Sequence, residues 1–156
     1  MDREAWTAVA TTFGVTLVLF GVFVAMYWAV RGFFPGSRLY EQELPGPNDL
    51  DSKTAKFTMF YTNWCPHCKT AKPKWASFEQ LMKTQQYTYG GKTVQLTKVN
   101  CETDPGQCSR YGADAYPTFK LETNSKLYEY VGPPDVQTWR TFLKSAIGSE
   151  TATASR

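Results

Sequence analysis

Residues 56–75 read KFTMFYTNWCPHCKTAKPKW, and the rest of the chain is understood outward from this stretch. Lys56–Tyr61 is rich in strand formers and runs straight into Trp64-Cys65. Beyond it Ala71, Trp75, Phe78 and Met82 recur at helical spacing, so Cys65 is expected to open a helix. The first N–H groups of a helix lack intrahelical partners, and the positive end of its dipole lies there. A thiolate placed at that point is stabilised and acts as a nucleophile near neutral pH. The i,i+3 spacing sets Cys68 on the same turn, close enough to close a disulfide with Cys65. Cys65 is therefore the expected attacking thiol, and Cys68 the more buried resolving thiol that ends a mixed disulfide. Pro66 is tolerated in a first turn, where its missing N–H leaves nothing unpaired. His67, when protonated, adds positive charge beside the thiolate, which favours the reduced form and makes the disulfide a stronger oxidant.

Four cysteines in two close pairs, Cys65/Cys68 and Cys101/Cys108, invite a redox or metal reading before a packing one. A zinc site joining both pairs would need C-x6-C as its second half, an unusual spacing. Inert core cysteines are the blander alternative. Farther along, Val94–Val99 alternates as a strand, and Asp104–Tyr111 suits a short helix with Pro105 in its first turn. Thr118–Leu121 and Leu127–Val131 read as a hairpin around Asn124-Ser125. Trp139, Phe142, Leu143 and Ile147 mark an amphipathic helix after Gly132-Pro133-Pro134. The order strand, helix, strand, helix, strand, strand, helix implies an α/β domain over residues 53–147, a central mixed sheet with helices on both faces. Residues 35–52, with Pro-Gly and Pro-Gly-Pro-Asn-Asp, read as a tether, and 148–156 as a disordered tail.

WCPHCKTAKPKW resembles the active-site helix of the protein disulfide isomerase branch of the thioredoxin superfamily, and YGADAYPTFKL (residues 111–121) resembles that branch's cis-proline segment. The similarity covers the domain and neither the N-terminal segment nor the tail. It implies a thioredoxin fold in which Pro117 follows a cis peptide bond and faces Cys65/Cys68. The backbone of Tyr116 would then pair with an extended substrate, beside Trp64. It also implies that Cys101 and Cys108 form a structural disulfide, two buried free thiols being the other reading. The Pro-His dipeptide resembles strongly oxidising members rather than reducing ones. One position departs: the family's buried acid, six residues before the first cysteine, is Met59 here. No cofactor beyond the Cys65–Cys68 disulfide, and no metal, is implied.

No charged residue occurs between Ala5 and Val30. As a helix these residues would run about 39 Å, against about 30 Å of bilayer hydrocarbon. Trp6, Tyr27 and Trp28 near the ends suit membrane interfaces. Residues 1–34 are accordingly expected to form a transmembrane anchor, with the bilayer as partner through 5–30. The Gly21/Ala25/Ala29 spacing would let a second membrane helix approach. Arg31 and Arg38 outnumber Arg3, which favours a cytoplasmic domain. A Cys101–Cys108 disulfide argues instead for an oxidising compartment such as the ER lumen, periplasm or virion interior. The net charge of +3 carries no basic run, so nucleic acid is not an expected partner. Two functions follow. One is a membrane-anchored thiol–disulfide oxidoreductase or isomerase acting on cysteine-containing client proteins. The other is a thioredoxin-like structural component of a membrane-associated assembly, for example a minor capsid protein of a large DNA virus.

Overall fold

The computed structural model describes residues 13–26 and 38–152 of the chain, which divides into two units, Met1–Pro35 and Gly36–Arg156. In the first unit residues 13–26 are helical (α1), and every side chain of this apolar run is exposed. Among the described residues no helix is long and apolar enough to cross a membrane. The flanks of the expected span, 5–12 and 27–30, lie outside the described residues, as does Ala29 of the small-residue face.

The second unit is built on a seven-stranded mixed sheet. Its strands are β1 (Arg38–Gln42), β2 (Thr54–Tyr61), β3 (Tyr87–Tyr89), β4 (Lys92–Asn100), β5 (Thr118–Glu122), β6 (Leu127–Val131) and β7 (Glu150–Ala152), in the spatial order β1-β6-β5-β2-β4-β3-β7. Only β2 and β4 pair in parallel, through the crossover helix α2 (Pro66–Gln85); the other pairings are antiparallel. A short helix, α3 (Pro105–Arg110), follows β4, and α4 (Val136–Ile147) follows β6.

Alternation along β2 explains why helices lie on both faces. Ala55, Phe57 and Met59 point one way into the main core, packed with Ala71, Trp75 and Phe78 of α2 and Trp139, Phe142 and Leu143 of α4. Phe60 points the other way, into a smaller cluster with Cys101, Cys108 and Ala113 around α3. The rings of Phe57, Trp75, Phe119, Trp139 and Phe142 pack with centroids 5.1–5.7 Å apart, tilted, stacked or edge-on, within the range of favourable aromatic contacts.

Three strands escaped the sequence reading. Where a tether was expected, Arg38–Gln42 pairs with β6, Arg38 opposite Val131 and Gln42 opposite Leu127. Where a disordered tail was expected, Glu150–Ala152 pairs with β3. Both are short edge strands held by a neighbour's open hydrogen-bonding edge, so neither needs an apolar pattern of its own. β3 itself joins β4 through Gly90-Gly91, both at positive φ (56° and 76°), the backbone of a tight two-residue hairpin. Gly-Gly between Tyr89 and Lys92 was the legible signal. At Gly90 a Cβ would also lie 1.8 Å from the Ile147 carbonyl oxygen, so no other residue fits there.

The expected tether is tied down further along as well. Asn48 donates from its side-chain amide to Glu122 Oε1 and to the Thr123 carbonyl, each at 2.9 Å. Glu122, only 2% exposed, also takes Lys56 Nζ and the Tyr111 hydroxyl at 2.9 Å. Burial alone would raise its carboxyl, but Lys56, Asn48 and Tyr111 together outweigh burial and hold it below the ordinary glutamate range. A depressed carboxyl stabilises the fold above its unfolded value, ~4.3, and loses that contribution as pH falls through the lower folded value. Glu122→Gln is therefore expected to cost about 2 kcal/mol at neutral pH and to flatten the stability profile below pH ~4. Urea melts of both proteins across that range check this, and parallel profiles would exclude it.

Candidate functional site

Cys65 is the N-cap residue of α2, with extended backbone (φ −70°, ψ 119°) and Pro66 in the first turn behind it. Its sulfur accepts the Cys68 N–H at 3.4 Å, the bond an N-cap side chain makes to an orphan donor of the first turn. Its thiol donates to the Tyr116 carbonyl at 3.3 Å. Cys65 is 4% exposed and Cys68 0%, and both are free thiols. Burial pushes the Cys68 thiol up to about 11. The Thr62 N–H and the Lys72 ammonium pull it the other way without cancelling that burial. Cys68 is thus a protonated thiol near neutral pH, and needs help to become a nucleophile.

The other expected residues surround this pair. The Tyr116–Pro117 peptide bond is cis, as the resemblance implied. Trp64, 65% exposed, meets the Tyr116 ring edge-on at 6.1 Å. His67 is exposed on the first turn of α2 and lines a groove of about 350 Å³ together with Tyr116, Pro117, Phe119 and Pro134. The sequence reading assigned Pro134 only to a helix boundary, because the turn before α4 reaches the groove by tertiary packing alone. Met59, at the family's acid position, is fully buried among apolar residues and supplies no proton acceptor.

Two further residues at the site went unnoticed in the sequence. Lys72, one turn beyond Cys68 on α2, donates to Asn63 Oδ1 at 2.9 Å and lies 4.1 Å from the centre of the Tyr61 ring. Thr62, between those two anchors, has a buried hydroxyl with no hydrogen-bond partner among the described residues. Lys72 lies within the quoted active-site stretch, but its link to Asn63 and Tyr61, with Thr62 between them, arises only in the folded β2–α2 connection.

Cys101 and Cys108 are joined in a disulfide, with Cα atoms 5.7 Å apart. In this structure neither sulfur of that pair is free to bind a metal. Closing so short a loop is worth about 2–3 kcal/mol at most. The bond lies across the start of α3, whose N-cap Asp104 accepts the Gln107 N–H at 3.0 Å. Among the described residues no three of His, Cys, Asp and Glu gather as a metal set.

The thioredoxin family model matches residues 48–145. The probable protein disulfide-isomerase ER-60 of Schistosoma mansoni is 35% identical over 104 residues, which cover 65% of this chain and 20% of that protein. Human protein disulfide-isomerase A6 is 38% identical over 74 residues, 47% of this chain and 16% of that protein. The chain therefore spans a fifth or less of the length of these relatives. The crystal structure of human ERp44 superposes with a TM-score of 0.53 at 21% identity, over 63% of this chain and 29% of that one, a likeness of fold.

Proposed function

Because the chain belongs to the thioredoxin family, we propose that it exchanges disulfides with cysteine-containing client proteins through Cys65 and Cys68. The observation that carries this reading is the placement of Cys65: N-cap of α2, beside the cis-proline segment, with a second thiol on the same turn. In the reducing direction the Cys65 thiolate attacks a client disulfide, forming a mixed disulfide and releasing one client sulfur as a thiolate. Cys68 then attacks the Cys65 sulfur. The Cys65–Cys68 bond forms, the bond to the client breaks, and the client leaves reduced by two electrons. Oxidation of a client dithiol is the same path run backwards. Proteins of this kind carry the redox equivalents on the cysteine pair rather than on a bound cofactor.

The roles of the neighbours follow from their positions. Tyr116 and Pro117 line the groove, Trp64 packs on the Tyr116 ring, and together they would hold an extended client segment across Cys65. His67, exposed on the first turn, favours the dithiol when protonated and so raises oxidising power. The Cys101–Cys108 disulfide supports an oxidising compartment, as does similarity to protein disulfide-isomerases. Residues 5–30 would anchor the domain to a membrane. The uncharged run of the sequence and the exposed apolar helix over 13–26 support that part of the reading.

The test is the reduction potential of the Cys65/Cys68 pair, from glutathione titration of the full chain in mild detergent with thiol labelling read by mass spectrometry. An oxidase or isomerase gives about −120 to −180 mV, and a reductase about −270 mV. A pair that never exchanges with glutathione would exclude catalysis and leave a structural domain.

A further inference from the structure

With the acid position occupied by Met59, the buried Cys68 thiol needs another source of help in the second half of the exchange. The groups facing it are few. Cys65 shares its turn, and the N–H of Thr62 approaches from the end of β2. Lys72 stands one helical turn farther on, on the same side of α2, as residues four apart do. Glu102, from the connection after β4, is engaged elsewhere, accepting the Asn63 N–H at 2.6 Å. His67 and Lys69 are exposed on α2.

A lysine on an open helix surface normally wanders. Lys72 is instead held from two sides, by Asn63 Oδ1 at 2.9 Å and by the Tyr61 ring at 4.1 Å. These anchors flank Thr62, the residue whose N–H meets the Cys68 sulfur, so the ammonium is held at that connection, where its charge pulls the Cys68 thiol down. Cation–π contact and a side-chain amide both leave the positive charge in place.

We propose that Lys72 is a positioning residue for the resolving step, its ammonium supplying the charge that favours the Cys68 thiolate where Met59 stands in place of the family's buried acid. The inference rests on the exchange reading above. In that step Cys68 gives its proton to a solvent base, and its thiolate attacks the Cys65 sulfur of the mixed disulfide. The Cys65–Cys68 bond forms, and the electron pair of the broken bond leaves on the client sulfur. Lys72 touches none of these atoms and acts only through its field.

The experiment follows reduced full chain, in mild detergent, as it reacts with glutathione disulfide. Acid quenching and intact mass spectrometry resolve capture of glutathione on Cys65 from its later release by Cys68. Lys72→Met keeps a good helix former at the position. It is expected to leave the capture rate unchanged, to slow release about fivefold at neutral pH, and to move the release midpoint to higher pH. Lys72→Arg is expected to restore both. Unchanged release in Lys72→Met would overturn the inference. So would equal slowing in both variants without a midpoint shift, since that is the signature of a packing role. A wild-type chain that captures no glutathione would instead overturn the exchange reading itself.

Discussion

Cys65→Ser is expected to abolish exchange, lowering the rate by at least about a thousandfold, because a serine hydroxyl stays protonated where a thiol yields a nucleophile. Fold stability should barely change. Cys65 sits at a helix start, serine is among the best N-cap residues, and the side chain gives up only a 3.3 Å bond to Tyr116. The partner variant Cys68→Ser behaves differently. It retains the attacking thiol but cannot close the ring, so a client should accumulate as a mixed disulfide on Cys65. Turnover of a disulfide-linked fluorescent peptide reads the first outcome, and a non-reducing gel reads the second. Undiminished turnover in Cys65→Ser would remove the catalytic reading. A chain with no measurable turnover before mutation would favour the structural alternative.

The largest effect on stability is expected at Trp75. This ring is fully buried at the centre of the main core, 5.2 Å from Phe57, 5.7 Å from Phe119 and 5.3 Å from Trp139. Its indole N–H donates to Glu79 Oε1 at 2.8 Å, one turn along α2, so the polar atom is satisfied as well. Trp75→Ala would open a cavity between both helices and the sheet, at a cost of about 3–5 kcal/mol. For a domain of this size that lowers the melting temperature by roughly 20 °C. Trp75→Phe keeps most of the volume and should cost about half as much. Circular-dichroism melts of the full chain check both values, and a loss below ~1 kcal/mol in the alanine variant would mean the cavity collapses. Since α2 begins at Cys65, the same packing also fixes the cysteine pair against the cis-proline segment.

Much of this site was legible before any coordinates. The apolar stripe of α2 lies where Ala71, Trp75, Phe78 and Met82 placed it, and Cys68 extends it by one turn. A helix buries every third or fourth residue against whatever it packs on, so its periodicity is written locally. The strands β2, β5 and β6 and the helix α4 were legible for the same reason. The edge strands β1 and β7 were not, because an edge strand is chosen by the free backbone groups of its neighbour. Nor could residues 44–50 betray that Asn48 would dock on Glu122, since one amide in a Pro-Gly-rich run has no period to read.

By itself, then, the sequence determined the identity and spacing of the free thiols Cys65 and Cys68, the helix start that carries them, and the layering of sheet and helices. All of these depend on neighbours within a few residues, where side-chain spacing and backbone geometry are tightly linked. Tertiary structure alone decided what stands around the sulfurs. It set the Tyr116 carbonyl against Cys65 across 51 residues of chain, left Met59 among apolar side chains, and pinned Lys72 between Asn63 and Tyr61. Such contacts arise when separate elements pack and each fills the space the others leave, and no local pattern encodes that space.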